Sequence, residues 1–322
     1  MRSKLPYKTK QFFFVAIKLA IVVGAIYFIY NKLTTNELLD YNSFVSALRN
    51  NGIFSINNML ILFCLSLGNF LLESLKWKQL VSFVSEISLN DALKHTLAGL
   101  TASQITPQRL GDYGAKILYF KSKLRPKIAL LNLVGHLAQL LVTLMVGVVG
   151  LGFLIYNYQL DVNYYRILKF LVIFTSLLTI TVFGLSRTRI RFKGYSVKTV
   201  WTFLKSLPVS LNLKCFAISM LRYALFSFQY YFLLHIFGIE IEYLVAMAFI
   251  ASMYLIASLI PVINVFDVII RGSVAVYLFS LLNIDPLTIL CITTIMWLLN
   301  VVVPSLLGSY VVLNYKLPIA KT

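Results

Sequence analysis

The sequence predicts an all-α, polytopic membrane protein with about six transmembrane helices and two re-entrant helical hairpins. Two properties of the composition indicate a membrane protein: 59% of the 322 residues are hydrophobic and only 12% are charged. Soluble domains contain about 45–50% apolar and about 25% charged residues. The composition therefore excludes an intrinsically disordered chain, a disulfide-stapled small domain and an ordinary soluble enzyme. A third property predicts the number of helices. Apolar runs recur along the chain, and each has a length near the ~20 residues that a helix needs to cross a bilayer.

Six segments are predicted to be complete transmembrane helices of one transmembrane domain that covers residues 1–322. The first follows four basic residues, but it is too long for a signal-peptide core and lacks a small-residue cleavage site, so we expect it to remain as a span. The three cysteines lie far apart in or beside apolar stretches, which predicts no disulfide, no metal site and no cofactor. The six segments are residues 11–30, 54–75, 128–153, 168–185, 216–236 and 287–312.

The apolar region at residues 89–120 is interrupted at Pro107. Its leading part has 16 residues, or about 24 Å as a helix, which is short of the ~30 Å hydrocarbon core. Its trailing part carries Arg109, Asp112 and Lys116. A helix that enters the membrane, breaks at the proline and returns to the same side explains both facts, since irregular backbone at membrane depth is tolerated inside protein or beside water. The alternative is an amphipathic helix on the membrane surface.

A second apolar region, residues 243–282, is interrupted at Pro261 and repeats the pattern of the first. In each region an acid follows the proline by five or six residues, and a base follows the acid at i+4. We predict a second re-entrant hairpin here, although two complete spans would give the same loop charges. By the number of crossings, the first hairpin opens from the cytoplasmic side and the second from the outer side. The chain then forms approximate inverted-topology repeats, residues 54–157 and 210–314, as in many transporters; the alternative is a chance similarity.

The distribution of basic residues predicts that both termini are cytoplasmic. With the N-terminus inside, the inner segments carry 20 Lys and Arg residues and the outer segments carry 4. This bias follows the positive-inside rule. The net charge of +18 is therefore expected to reflect cytoplasmic loops and contact with anionic headgroups rather than nucleic acid. Residues 186–214 form the most basic loop, with an amphipathic stretch at 197–207, and we interpret it as a linker at the inner membrane surface or simply as an anchor of the topology.

The two acid–base pairs are the candidate substrate site. An acid followed by a base at i+4 lies on one helix face in the favourable order. Charges at membrane depth are expensive, and they usually mark substrate or ion pathways. We expect Arg109, Lys116 and Arg271 to receive an anionic headgroup, while Asp112 and Asp267 keep these bases oriented. The alternative is that each pair is structural and pins its hairpin.

Five further polar residues in the predicted spans are candidates for the wall of a cavity. Four of them also have a plainer interpretation: Glu73 pairs with a nearby lysine at the interface, His136 and Gln139 make interhelical hydrogen bonds, and Arg222 extends its side chain to the inner surface. The five residues are Glu73, His136, Gln139, Arg222 and Gln229.

Two motifs resemble the lysylphosphatidylglycerol synthase transmembrane-region family, also called flippase-like domain proteins. Leu75-Lys76-Trp77-Lys78-Gln79-Leu80-Val81 resembles the family's basic-Trp-basic segment, and Thr106-Pro107-Gln108-Arg109-Leu110-Gly111-Asp112 resembles its Pro-x-Arg-x-Gly-acid motif. Two regions depart from the family. In the second half, residues 261–271 contain no glycine and Gly272-Ser273 follow Arg271 where an acid is usual; in the first half, Gly135, His136 and Gln139 stand where charged residues are common.

The resemblance implies the lipid-translocating part of this family without the soluble aminoacyl-transferase domain of its bifunctional members. We therefore expect a flippase-like protein of a bacterial-type inner membrane that moves an anionic or aminoacylated lipid, either a phospholipid or a polyprenyl-phosphate-linked species. Membrane lipids are the expected partners, and nucleic acid is not. The alternatives are a scaffold for envelope synthesis that transports nothing, and a membrane enzyme that acts on a lipid-linked donor. An enzyme is disfavoured because the sequence shows neither clustered catalytic acids nor metal-ligand spacing.

Overall fold

The computed structural model describes residues 55–104, 106, 109–158, 191–192, 195–260 and 267–315. Within these ranges the chain is helical apart from one antiparallel pair of two-residue strands, β1 and β2. The elements in chain order are α1 Ile56–Val81, α2 Leu89–Ser103, α3 Leu110–Leu118, α4 Arg125–Tyr158, β1 Arg191–Phe192, β2 Tyr195–Ser196, α5 Val197–Lys205, α6 Val209–Ile236, α7 Tyr243–Leu259, α8 Asp267–Ser280, α9 Pro286–Trp297 and α10 Val303–Asn314. A π-helical segment, Leu298–Val302, joins α9 to α10.

Four helices in the described ranges are long and apolar enough to cross a membrane: α1, α4, α6 and the continuous run of α9, the π segment and α10. They agree with four of the six predicted spans. The other two predicted spans, residues 11–30 and 168–185, lie outside the described residues. Large apolar side chains on these helices point outward and are exposed, among them Val149 on α4 and Leu221 on α6. An apolar outer surface of this kind matches a lipid environment.

Four other helices, which form two pairs, are short. Helices α2, α3, α7 and α8 have 15, 9, 17 and 14 residues, so even the longest of them extends only about 25 Å, less than the ~30 Å hydrocarbon core. Helix α2 packs on α3, and α7 packs on α8. These two helix pairs lie in the two apolar regions of the sequence that are interrupted by a proline, residues 89–120 and 243–282. Pro107 and Pro261 themselves lie outside the described residues.

The turn from α2 to α3 is tight. Arg109 precedes α3 with φ of 56°, a left-handed conformation that costs a residue with a side chain roughly 1–2 kcal/mol. The N–H of Gly111 donates to Thr106 Oγ1 over 2.7 Å. A side chain at Gly111 would overlap the backbone of Ala102 on α2. This close approach fixes where the charged face of α3 lies against α2.

The two halves of the chain are joined by two contacts between helices that are far apart in the sequence. Helix α10 packs on α2, and α4 packs on α7. Both crossings depend on glycine: a Cβ at Gly150 of α4 would lie 2.8 Å from the carbonyl oxygen of Ala248 on α7, and a Cβ at Gly308 of α10 would overlap the backbone of Leu97 on α2. Small residues at a crossing allow helix backbones to approach closely, which is the usual way that membrane helices associate.

Candidate functional site

A cavity of about 220 Å³ lies within the helix bundle. At the ~30 Å³ that each water molecule occupies in the liquid, this volume has room for roughly seven waters. Its wall is drawn from both helix pairs and from all four long helices. The charged and ionisable residues of the wall are Glu73, Arg109, Asp112, Lys116, His136, Arg222, Asp267 and Arg271.

Asp112 is the centre of one charged cluster. Its carboxylate accepts from Lys116 Nζ at 3.0 Å and from Asn132 Nδ2 at 2.7 Å. Nε2 of His136 lies 2.9 Å from Asp112 Oδ2. Asn132 and His136 stand four residues apart on α4, so one face of that helix supplies both contacts. Gly99 of α2 makes room for the group, because a side chain there would overlap the carboxylate of Asp112.

The ammonium of Lys116 is completely enclosed, and its side chain is only 2% exposed. It donates to Asn132 Oδ1 at 2.9 Å as well as to Asp112. Nζ also lies 4.6 Å from the centroid of the Trp77 ring, an arrangement that adds cation–π attraction. Trp77 is held in turn by its own N–H, which donates to His95 Nδ1 over 3.3 Å. The ammonium, which carries three donors, thus meets two oxygen acceptors and an aromatic ring.

Glu73 is the centre of a second cluster, between α1 and α6. Its Oε2 lies 2.8 Å from Lys76 Nζ and 2.7 Å from Arg222 Nη1. Arg222 also donates from Nε to Asn69 Oδ1 at 2.8 Å and from Nη1 to Gln139 Oε1 at 3.3 Å. The expected pairing of Glu73 with a nearby lysine is confirmed with Lys76. The side chain of Arg222, for which extension to the inner surface was the plainer interpretation, ends on Glu73 of α1.

A chain of amides continues from this cluster to the last span. Asn69 Nδ2 donates to Asn300 Oδ1 at 2.8 Å, and Asn300 Nδ2 donates to Gln229 Oε1 at 2.9 Å. Asn300 lies in the π-helical segment, where the backbone ladder is locally altered. Gln229 is fully buried and donates to Leu62 O and Ser66 Oγ, and it is not among the residues of the cavity wall.

The second acid–base pair lies at the start of α8. Asp267 Oδ2 is 2.8 Å from Arg271 Nε, and the two side chains are 20% and 36% exposed. The guanidinium carbon of Arg271 lies 5.3 Å from the centroid of the Tyr254 ring on α7. Both predicted i,i+4 ion pairs are therefore confirmed. They differ in access, because Asp112 and Lys116 are enclosed while Arg271 is open to the cavity.

The cavity brings together all five residues predicted for substrate binding and four of the five further candidates, with Gln229 outside it. The sequence analysis missed Asn132, although its position one turn before His136 in an apolar span was a usable signal. Among the described residues the cysteines Cys64, Cys215 and Cys291 are free, and no group of three His, Cys, Asp or Glu side chains could hold a metal ion.

A comparison with protein families matches residues 15–308 to the family described as Lysylphosphatidylglycerol synthase TM region. The match covers most of the chain, including the two helix pairs and the cavity. No curated protein matches the chain.

The buried ion pair of Asp112 and Lys116 leads to a prediction about stability. Lys116→Ala leaves the buried carboxylate of Asp112 without its main counter-charge, which typically costs about 3–5 kcal/mol. The double change Asp112→Asn with Lys116→Gln removes both charges at similar volume, and we expect it to regain most of that loss. Thermal unfolding in detergent measures both, with Lys214→Ala as the control because Lys214 is exposed on α6. Equal unfolding temperatures for the single and double variants would contradict the conclusion that an unpaired charge at Asp112 destabilises the protein.

Proposed function

Because the chain belongs to the lysylphosphatidylglycerol synthase TM region family, we propose that it moves an amphipathic lipid with an anionic or aminoacylated headgroup between the leaflets of a membrane. The proposed cargo is a phospholipid or a polyprenyl-phosphate-linked lipid. The observation that carries this proposal is the shared cavity, whose wall includes the charged pairs of both helix pairs in the interior of a membrane-spanning bundle.

The wall of the cavity is amphipathic, as a lipid requires. Some wall residues belong to the charged clusters around Glu73 and Asp112. Others, among them residues of α6, α7 and α9, are apolar or aromatic. A headgroup and the first part of an acyl chain would each meet a matching surface there. The apolar residues are Phe226, Met253, Tyr254, Met296 and Trp297.

The short helices support the proposal that α2–α3 and α7–α8 are re-entrant hairpins of an inverted repeat. In this scheme α1 corresponds to α6, α2 to α7, α3 to α8, and α4 to the last span. The crossings agree with it, since α2 packs on the last span of the second repeat while α7 packs on the last span of the first. Glycine lies at both crossings. Such repeats place the substrate site near the midplane between them.

The charged residues take distinct roles in this proposal. Arg109, Lys116 and Arg271 receive the anionic headgroup, and Asp112 and Asp267 hold the bases while the site is empty. Arg271 is the more accessible base, whereas Lys116 becomes available only if its contacts with Asp112 and Asn132 open. We propose transport rather than catalysis because each carboxylate of the wall is paired with a base, while general acid–base chemistry needs a carboxyl group free to exchange its proton.

We further propose that the protein lies in a bacterial-type inner membrane with cytoplasmic termini and contacts anionic headgroups at that face. Helix α5 supports this, since Trp201 is 59% exposed and Lys205 Nζ lies 5.2 Å from the centroid of its ring. An aromatic residue beside a basic one is typical of helices that lie in the membrane interface.

Lipid movement is tested by a leaflet assay. Purified protein is reconstituted in vesicles with a fluorescent phosphatidylglycerol, and an impermeant reductant quenches the outer leaflet. We expect the wild-type protein to bring dye from the inner leaflet to the outer leaflet, where the reductant quenches it. The double variant Asp267→Asn with Arg271→Gln should slow this movement at least tenfold, since a charged hydrogen bond contributes roughly 1.5–3 kcal/mol. Lys214→Gln, outside the cavity, should match the wild type. A wild-type rate equal to that of empty vesicles contradicts transport.

Orientation is tested by cysteine labelling of two described turns. In a protein without its native cysteines, Ser122→Cys should be protected from an impermeant thiol reagent in intact cells, and Asn283→Cys should react, because the two turns are proposed to face opposite sides. After the cells are permeabilised, both should react. The reverse pattern would overturn the proposed orientation.

A further inference from the structure

Among the described residues, the ion pairs around the cavity do not balance. Four basic side chains, Lys76, Lys116, Arg222 and Arg271, form ion pairs with only three carboxylates. Glu73 alone is shared by two cations, Lys76 and Arg222. The cavity is therefore electropositive when its histidine is neutral. In an environment of low dielectric constant this excess favours an anion and disfavours a second cation.

The three carboxylates are already committed to protein cations. Asp112 holds Lys116 and also contacts Asn132 and His136. Asp267 holds Arg271. An added ammonium would compete with these bases for the carboxylates, and at Asp112 it would leave Lys116 buried without its counter-charge, a loss that is strongly destabilising.

Two arginines keep donors available. The closest contact of Arg271 with Asp267 is at Nε, and among the described residues no acceptor binds Nη1 or Nη2 of Arg271. Arg222 uses Nε and Nη1, and its Nη2 likewise has no acceptor among the described residues. Both residues belong to the cavity wall. Guanidinium groups bind phosphate oxygens with two parallel N–H groups, which makes them the strongest phosphate donors among side chains.

We propose that the cavity selects a phosphate headgroup of net negative charge through Arg222 and Arg271, and discriminates against a headgroup that carries an aminoacyl ammonium. This inference rests on the proposed lipid function and narrows its cargo to the anionic class. It adds Arg222 to the specificity-determining residues. The aromatic face of Tyr254, which could otherwise attract an ammonium, is occupied by Arg271.

Competition for the purified protein in detergent tests this selectivity without requiring transport. Equimolar phosphatidylglycerol and lysyl-phosphatidylglycerol with identical acyl chains are added, and native mass spectrometry measures the bound ratio. We expect at least a tenfold preference for phosphatidylglycerol, since one charged hydrogen bond accounts for about that factor. Arg271→Gln and Arg222→Gln should each bring the ratio towards one, while the control Lys214→Gln should leave it unchanged. Arg271→Lys keeps the charge and should keep part of the preference.

The outcomes separate this inference from the proposed function. A preference for phosphatidylglycerol in a protein that fails the leaflet assay supports the selectivity and rejects transport. Equal or stronger binding of lysyl-phosphatidylglycerol, or a preference that both arginine variants retain, overturns the selectivity even if lipid movement is observed. Glycerol 1-phosphate at the same concentration should displace little lipid. Complete displacement would show that the site binds a free phosphate compound and would overturn the choice of a lipid headgroup.

Discussion

The pairing of buried charge is the constraint on which the rest of this structure depends. A lone carboxylate or ammonium removed from water costs several kcal/mol, and only close counter-charges with additional hydrogen bonds offset that cost. Asp112 meets this requirement with contacts from its own helix and from α4, and Glu73 meets it with contacts from α1 and α6. The positions of these helices are thus tied to one another through their polar side chains as well as through apolar packing.

The need to pair buried charges also explains several local features that apolar packing alone would not require. Gly99 gives the carboxylate of Asp112 space against α2, and Gly111 lets α3 approach the backbone of α2 at Ala102. The π-helical segment places Asn300 where it joins Asn69 of α1 to Gln229 of α6. Each feature weakens an ideal helix or forbids a side chain, and each positions a polar group. Departures from regular structure commonly mark sites where function has priority over stability.

Local information in the sequence was sufficient for the helices and for both acid–base pairs, because i,i+4 spacing determines a contact within one helix. It was not sufficient for contacts between helices. The partner of Arg222 is Glu73, 149 residues earlier, and no pattern near Arg222 indicates it, so extension to the membrane surface was the plainer expectation. Gln229 looked like a cavity residue because it is polar in an apolar span, yet its partners on α1 and in the last span place it behind the wall.

The reaction of cysteines with a small water-soluble thiol reagent tests most directly the central claim that both helix pairs border one wet cavity. In a protein without native cysteines, Leu100→Cys on α2 and Ser258→Cys on α7 both belong to the cavity wall. Val149→Cys is the control, because Val149 is 73% exposed on the apolar outer face of α4. We expect the cysteines of Leu100→Cys and Ser258→Cys to react with the reagent in membranes, whereas Val149→Cys stays unreactive because it faces the lipid. In detergent, added phosphatidylglycerol should slow the reaction of both wall cysteines. Reaction at only one of the two wall positions, or at Val149→Cys as fast as at the wall, would contradict this claim.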